Sequence, residues 1–306
     1  MLPSGIYEQV INRIIRSKLN SDENIVITDS IDKEEAAKIL AQYFEEILET
    51  ALENLKENGG DIFKQIELCN KLLEVIEAET KDNFMKNFIV DENAKLLIAY
   101  IRKKDNIHAV NDKISIIRPA TSIARSSLFT GAIHEPSMFS ELKKEILSCD
   151  RIYMLVSFIK WSGLRLIIDE LTLFTKNGGQ LRVITTSYMG ATDAKAIEEL
   201  SELPNTEIKV SYDTKRTRLH AKAYIFYRST GFTTAYIGSS NLSNAAISSG
   251  LEWNVKITQK DLPETIQKIE ATFENYWNSN EFAYYNPAEK SRLIAAIKAE
   301  KGGNKE

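Results

Sequence analysis

Residues 220–243 read HAKAYIFYRSTGFTTAYIGSSNLS. Two alternating apolar runs flank the turn-forming Arg228-Ser229-Thr230-Gly231-Phe232, the pattern of a β-hairpin. Successive side chains of a strand point to opposite faces. His220 and Lys222 therefore project together, with Tyr224, Phe226 and Arg228 on the same face and Leu219, Ile225 and Tyr227 on the other. The returning strand, TTAYIG, delivers Ser239 and Asn241 beside them. An imidazole, an ammonium, a hydroxyl and an amide gathered in one place suit a small anion such as phosphate. Gly238 leaves room for the backbone to approach a ligand closely. Glu252 opens the next strand, and a carboxylate behind an imidazole fixes its tautomer and stabilises its cation.

Outward from this hairpin, the chain alternates short apolar strands with helices. Strands are expected over 151–158, 181–186, 206–212, 218–227, 233–238 and 251–258. Helices are expected from Pro136 or Ser137, over 162–179, over 191–203 and over 262–277. That rhythm predicts an α/β fold, with a mixed, mostly parallel sheet covered by helices on both faces. Thr185, Thr186, Ser187 and Tyr188 close one strand at its C-terminal end, where ligands tend to bind, and they read equally well as turn chemistry. Arg216 and Arg218 suit contacts to a nucleic-acid backbone, although loop arginines are commonly just solvated. Trp161 and Trp253 read as packing residues rather than base-stacking platforms. Residues 105–135 are less regular, with one strand at Ile114 and Ile116 stopped by Pro119.

The first hundred residues are helical in pattern. Asp32-Lys33-Glu34-Glu35 reads as a capping box, followed by Ile39, Leu40, Tyr43, Phe44, Ile47 and Leu48 at helical spacing. Gly59-Gly60 ends that helix and Asp61 opens a second, with Ile62, Ile66, Cys69, Leu72 and Leu73 on one side. Core packing between helices is the expectation for these stripes. The divisions that follow are a helical region over 1–104, a connecting segment over 105–135, a catalytic domain over 136–278, and a C-terminal helix and linker tail over 279–306.

The 306-residue chain is 43% apolar and 27% charged, ordinary for a globular protein. Its net charge of −4 hides an asymmetry. Residues 1–100 carry 11 Lys/Arg against 20 Asp/Glu, and residues 101–306 carry 28 against 23. The basic excess lies with the His220 motif, as a polyanionic ligand would favour, although a solvated helical half beside a neutral half fits equally well. Cys69 and Cys149 lack metal-ligand spacing and read as reduced thiols of a cytoplasmic protein. No apolar run is long enough to span a bilayer, and the N-terminus lacks the compact apolar core of a secretion signal, so no membrane partner is expected.

HAK, then GSSN, then Glu252 resembles the HxK…GSxN…E signature of the phospholipase D superfamily, matched at His220, Lys222, Ser239, Asn241 and Glu252. Many members carry an aspartate a few residues after the lysine; here Tyr227 and Arg228 occupy that region. The resemblance covers roughly residues 130–278. It implies that His220 attacks phosphorus to form a phosphohistidine, that a second motif histidine protonates the leaving oxygen, and that water resolves the intermediate without metal or other cofactor. Lys222 and Asn241 would neutralise the phosphoryl oxygens, with Arg218, Ser240, Thr186 and Tyr188 as substrate-binding residues. The other histidines, His108 and His134, lack the motif spacing and read as surface or capping residues. A complete site then needs two chains, in a symmetric homodimer.

GIYEQVINRII, DKEEAAKIL and TTSYMGATDAKAIEEL further resemble the N-terminal module of bacterial superfamily-two helicases. No GxxxxGK[ST] loop is present, so a motor would be a fused or separate partner. The implied function is a metal-independent DNA phosphodiesterase or endonuclease serving restriction or repair. The alternatives are a catalytically silent DNA-binding and dimerisation module of a helicase and, less favoured, a lipid phosphodiesterase.

Overall fold

The computed structural model describes residues 2–20, 22–91, 94–100, 109–110, 113–114, 117–213, 218–243 and 252–302. His108, Ile116 and Arg216 lie outside the described residues. The chain divides into two compact units, Met1–Tyr100 and Ile101–Glu306.

The first unit contains α1 (Arg13–Lys18), α2 (Ala36–Glu57) and α3 (Ile62–Thr80). Asp61 caps α3, its carboxylate accepting from the Lys64 N–H at 3.0 Å. Asp32 does not cap α2. Its carboxylate accepts from the Glu34 N–H at 2.7 Å and holds a turn, and regular helix begins only at Ala36. From α3, the Asn70 amide clasps the backbone of Val90 further along the chain, donating to its carbonyl at 3.2 Å and accepting from its N–H at 2.9 Å. Core packing was expected of the apolar stripes, yet no residue of α1, α2 or α3 is fully buried. Leu40, Phe44, Ile47, Phe63 and Val75 stay exposed.

The second unit is α/β. In chain order it contains the short paired strands β1 (Ala109–Val110) and β2 (Lys113–Ile114), then β3 (Ser127–Phe129), α4 (Met138–Ile146), β4 (Arg151–Val156), α5 (Trp161–Leu164) and α6 (Ile168–Lys176). There follow β5 (Gln180–Thr186), α7 (Ala194–Ser201), β6 (Thr206–Ser211), β7 (Lys222–Tyr227), β8 (Thr234–Gly238), β9 (Asn254–Thr258), α8 (Pro263–Trp277), β10 (Phe282–Tyr284) and α9 (Lys290–Gly302). Eight strands form one mixed sheet in the order β10-β6-β5-β4-β7-β8-β9-β3.

Helices flank this sheet as expected, but the balance of pairing does not follow the sequence reading. Only β4–β5 and β5–β6 are parallel; the other five pairs are antiparallel. The reason is connectivity. Helical crossovers link β4 to β5 and β5 to β6, whereas β7 and β8 join through a tight turn and β9 returns beside β8.

Strand parity sorts the core. Ile152, Met154 and Val156 of β4 join Tyr224 and Phe226 of β7 beneath α4, α6, α7 and α9. Tyr153 and Leu155 join Ala223, Ile225 and Tyr227 against α8, which contributes Ile266, Phe273 and Trp277. Apolar side chains on both faces explain why β4 and β7 read as continuous apolar runs. Residues after 278, expected as a helix and linker tail, add an edge strand and a helix whose Leu293 and Ile297 are buried in the same core. Within the expected connecting segment, β3 pairs with β9, and the Glu141 carboxylate accepts from the N–H groups of Ala120 and Thr121 at 2.8 and 3.0 Å.

Candidate active site

One end of the sheet collects the motif. The C-terminal ends of β4 and β5 meet the N-terminal end of β7, since Val156 pairs with Lys222 and β7 runs antiparallel to β4. β8 ends there at Gly238, paired with Asn254 at the start of β9. Regular strand begins at Lys222, yet the Ser157 N–H still donates to the Ala221 carbonyl at 3.0 Å and keeps the HAK segment in line.

Lys222 is buried while His220 is exposed. The Lys222 ammonium donates to the His220 carbonyl at 3.0 Å and lies 2.9 Å from Nδ1 and 3.2 Å from Nε2 of the ring. An ammonium only donates, so any hydrogen bond it makes to the ring is accepted by an unprotonated ring nitrogen, and which of the two accepts depends on the tautomer. Burial pulls the Lys222 pKa below its ordinary value, and the nearby Glu252 carboxylate acts in the opposite direction. Burial raises the Tyr224 hydroxyl, and Glu252 raises it further. Glu252 therefore lies within electrostatic reach of Lys222.

Strand alternation decides what the GSSN stretch presents. Asn241 is half-buried, and its Oδ1 accepts from the Phe158 N–H at 3.1 Å. That bond fixes the amide, leaving its Nδ2 group as donor. Ser239 is exposed, its N–H donating to the Trp253 carbonyl at 3.1 Å and its hydroxyl accepting from the Trp253 N–H at 3.2 Å.

Ser240, expected among the substrate-binding residues, has the opposite parity and is buried. Its hydroxyl accepts from Asn254 Nδ2 at 2.8 Å and its carbonyl accepts from the Tyr224 hydroxyl at 3.0 Å. It braces the loop from below. Thr186 is likewise interior, donating to the Ser211 carbonyl at 3.2 Å and accepting from the Tyr188 N–H at 3.1 Å. For Thr186 the turn reading is the one the structure matches. Tyr188 and Arg218 do come together, the guanidinium 6.0 Å above the ring.

Two close backbone approaches hold the loop. A Cβ on Gly238 would meet the Trp253 carbonyl oxygen at 2.2 Å and Asn254 Oδ1 at 2.5 Å. A Cβ on Gly163, within the short helix α5, would lie 2.5 Å from the backbone of Leu242 and Ser243. Backbone cannot step aside as a flexible side chain can. Gly238→Ala should therefore displace Ser239 and cost about 1–3 kcal/mol. A drop in the thermal midpoint together with lost activity is expected, and an unchanged midpoint would show that the approach is not tight.

Sequence reasoning missed Phe158 and Asn254. Phe158 sits edge-on to His220, with ring centroids 6.1 Å apart and planes at 76°. Its signal was an aromatic at the end of the apolar run 151–158. Asn254 is a polar residue inside a strand, two positions beyond Glu252, and such residues are placed there when their amide has a partner. Trp253 was expected to pack; its side of β9 faces outward, and the residue is 64% exposed. The region where many superfamily members place an aspartate is interior here. The Tyr227 ring packs on Tyr153 at 4.8 Å, and the buried Arg228 guanidinium meets Glu145 at 2.6 Å.

With the geometry in place, comparison with known proteins is informative. Residues 142–277 match the family described as "Cardiolipin synthase, PLD-like domain". The chain carries a phospholipase D-like domain. Every motif residue from His220 to Glu252 falls inside the matched span, and the superfamily is one of phosphodiesterases. Among solved structures the chain is similar to NucT from Helicobacter pylori, at 20% identity and TM-score 0.39, over 49% of this chain and 94% of that one. It is also similar to Nuc from Salmonella typhimurium, a phospholipase D family member, at 20% identity and TM-score 0.41, over 53% and 99%. TrmBL2, an archaeal chromatin protein described as showing a novel mode of DNA binding, aligns at 12% identity and TM-score 0.33, over 79% and 69%. No curated protein matches the chain.

Among the described residues no three His, Cys, Asp or Glu side chains gather as a metal-ligand set, and no helix is long and apolar enough to cross a membrane.

Proposed function

We propose that the phospholipase D-like domain is a metal-independent phosphodiesterase that cleaves DNA through a phosphohistidine on His220. The observation that carries the reading is the Lys222 ammonium set against both His220 ring nitrogens, at the sheet end that also presents Ser239 and Asn241. In the first step an imidazole lone pair attacks phosphorus, the bond to the leaving oxygen breaks, and that oxygen takes a proton. The positive Lys222 and the donating Asn241 amide offset the charge that builds on the non-bridging oxygens. Water then attacks the phosphorus and gives its proton to the group that protonated the leaving oxygen, and the bond from phosphorus to the His220 nitrogen breaks, which returns His220 to its starting form.

The proton donor in this scheme is His220 of a second copy, since the chain holds three histidines and only one lies in the motif. The composite site therefore belongs to a homodimer. The exposed apolar residues of α2 and α3 support a helical unit that is covered in use, by a second copy or by a helicase motor serving restriction or repair. Those same faces favour a second reading, in which the chain is a DNA-binding and dimerisation module without catalysis.

Labelled single- and double-stranded DNA incubated with the protein in excess chelator separates the readings. Cleavage that survives chelation is expected, whereas DNA bound but intact would leave only the module. Specific activity should also fall on dilution in step with the dimer fraction measured by light scattering. A fully active monomer would sink the composite site.

A further inference from the structure

The end of the sheet that carries His220 also carries a row of aromatic rings, one of them bare. Following the order β5-β4-β7-β8-β9, the strand ends present Tyr188, Phe158, His220 with Lys222, Ser239 with Asn241, and Trp253. Adjacent strands lie about 4.8 Å apart, so the four steps from Tyr188 to Trp253 span about 19 Å. Phe158 is one strand from His220 and touches its ring edge-on. Trp253 stands two strands away on the other side, about 10 Å along the same edge, with the parity of Ser239 rather than that of Lys222.

Trp253 combines exposure with rigid placement. Its backbone is tied to Ser239 from both sides, by the Ser239 N–H on its carbonyl at 3.1 Å and by its own N–H on the Ser239 hydroxyl at 3.2 Å. The next residue, Asn254, is buried and bonded to Ser240. The indole is thus carried on backbone bonded in both directions to Ser239 while 64% of the residue faces solvent. A tryptophan that served only packing would be held by its ring; here the backbone holds it and the ring is left over. Exposed cations accompany the row, with Lys160 beyond Phe158 and Arg218 over Tyr188.

We propose that Trp253 is a stacking platform for an unpaired nucleobase flanking the scissile phosphate, and that the substrate crosses this sheet end as a single strand. This rests on the nucleic-acid reading above and deepens it. A duplex offers no free base face to an aromatic ring beside the reactive centre, whereas an unpaired strand offers one at every nucleotide. Phosphates would follow Lys222, Arg218 and Lys160, and bases would turn toward the rings. An edge of about 19 Å has room for a few nucleotides at the 3.4 Å rise of a stacked strand.

The test is binding of a labelled oligothymidylate and of an abasic oligonucleotide of equal length, both in the His220→Ala chain so that no substrate is consumed. Adding Trp253→Ala should weaken oligothymidylate binding by roughly 5- to 150-fold, the range for one lost base–aromatic stack, and should leave the abasic strand within about twofold. Trp253→Phe should keep most of the affinity. An equal loss on both strands, or no loss on either, would overturn the inference while leaving the nuclease reading standing. So would a Trp253→Ala chain that binds oligothymidylate normally but no longer dimerises, for the ring would then face a second copy. If none of the chains binds either strand, the nucleic-acid reading fails and takes this inference with it.

Discussion

Replacing His220 by alanine should reduce phosphodiester cleavage by roughly 10⁴-fold or more, with oligonucleotide binding retained. The size follows from the role. His220 forms the bond to phosphorus, and no neighbouring side chain can substitute, since Lys222 is buried and directed at the His220 ring and backbone. Loss of cleavage with binding kept marks a group used in the transition state rather than in substrate capture. A variant that cleaves DNA at even a tenth of the normal rate would remove His220 from the role of nucleophile.

The same variant measures the number of chains in the site. If each catalytic event draws one histidine from each of two chains, a dimer containing a single His220→Ala chain is dead. After subunit exchange between equal amounts of normal and variant protein, about a quarter of the dimers are fully normal, so activity per total protein should fall to about a quarter. Two independent sites would give about a half. The quadratic fall is specific to a shared centre, and a linear fall would dissolve it even if the protein dimerises.

What the sequence made legible was local. Alternation over 219–228 put His220 and Lys222 on one face, and the structure has the Lys222 ammonium on the His220 ring. The sequence placed Ser239 and Asn241 at the end of the returning strand but counted Ser240 among the binding residues, and only the burial of Ser240 shows that it braces the loop. What was not legible depends on partners distant in the chain. The direction of a strand is set by which strand lies beside it, and an apolar run such as KAYIFY carries no record of that, so the antiparallel majority was invisible. Three-residue strands such as β10 are too short to show a period. Trp253 is a large aromatic and reads as core; its exposure follows from the outward side of β9, where Val255 is also exposed. In the helical unit the stripes set the helices correctly, but a stripe does not say what covers it.

The other illegible feature carries the largest expected effect on stability. Nothing in the sequence singles out Glu141 and Glu145, one helical turn apart on α4 beside two lysines, yet both are fully buried. Glu145 accepts from Arg228 Nη2 at 2.6 Å, from the Thr234 hydroxyl at 2.8 Å and from the Tyr236 hydroxyl at 2.9 Å, and meets Lys256 Nζ at 3.0 Å. Lys256 also donates to Thr121, whose hydroxyl donates to Glu141 at 2.6 Å. One buried network thus binds α4 to β7, β8 and β9 and to the segment before β3. Glu145→Gln keeps the shape but leaves Arg228 and Lys256 as buried, uncompensated cations. The expected loss is about 3–5 kcal/mol, read as a lower urea midpoint.

The pH dependence of that loss follows from the sign of the Glu145 shift. Burial alone would raise its carboxyl, and the attraction of Arg228 and Lys256 outweighs burial and holds it below the ordinary carboxylate range. A depressed folded pKa contributes stability that is fully present above the unfolded value, about 4.3 for glutamate, and is lost as pH falls through the folded value. The gap between the two proteins should therefore stay constant near neutrality and narrow below about pH 4. A chain with Glu145, Arg228 and Lys256 all replaced by apolar residues of similar volume should recover part of the loss, because the charges are expensive only when one is left without the others. If Glu145→Gln unfolds at the normal urea midpoint, the network holds nothing together and the buried charges must be compensated elsewhere.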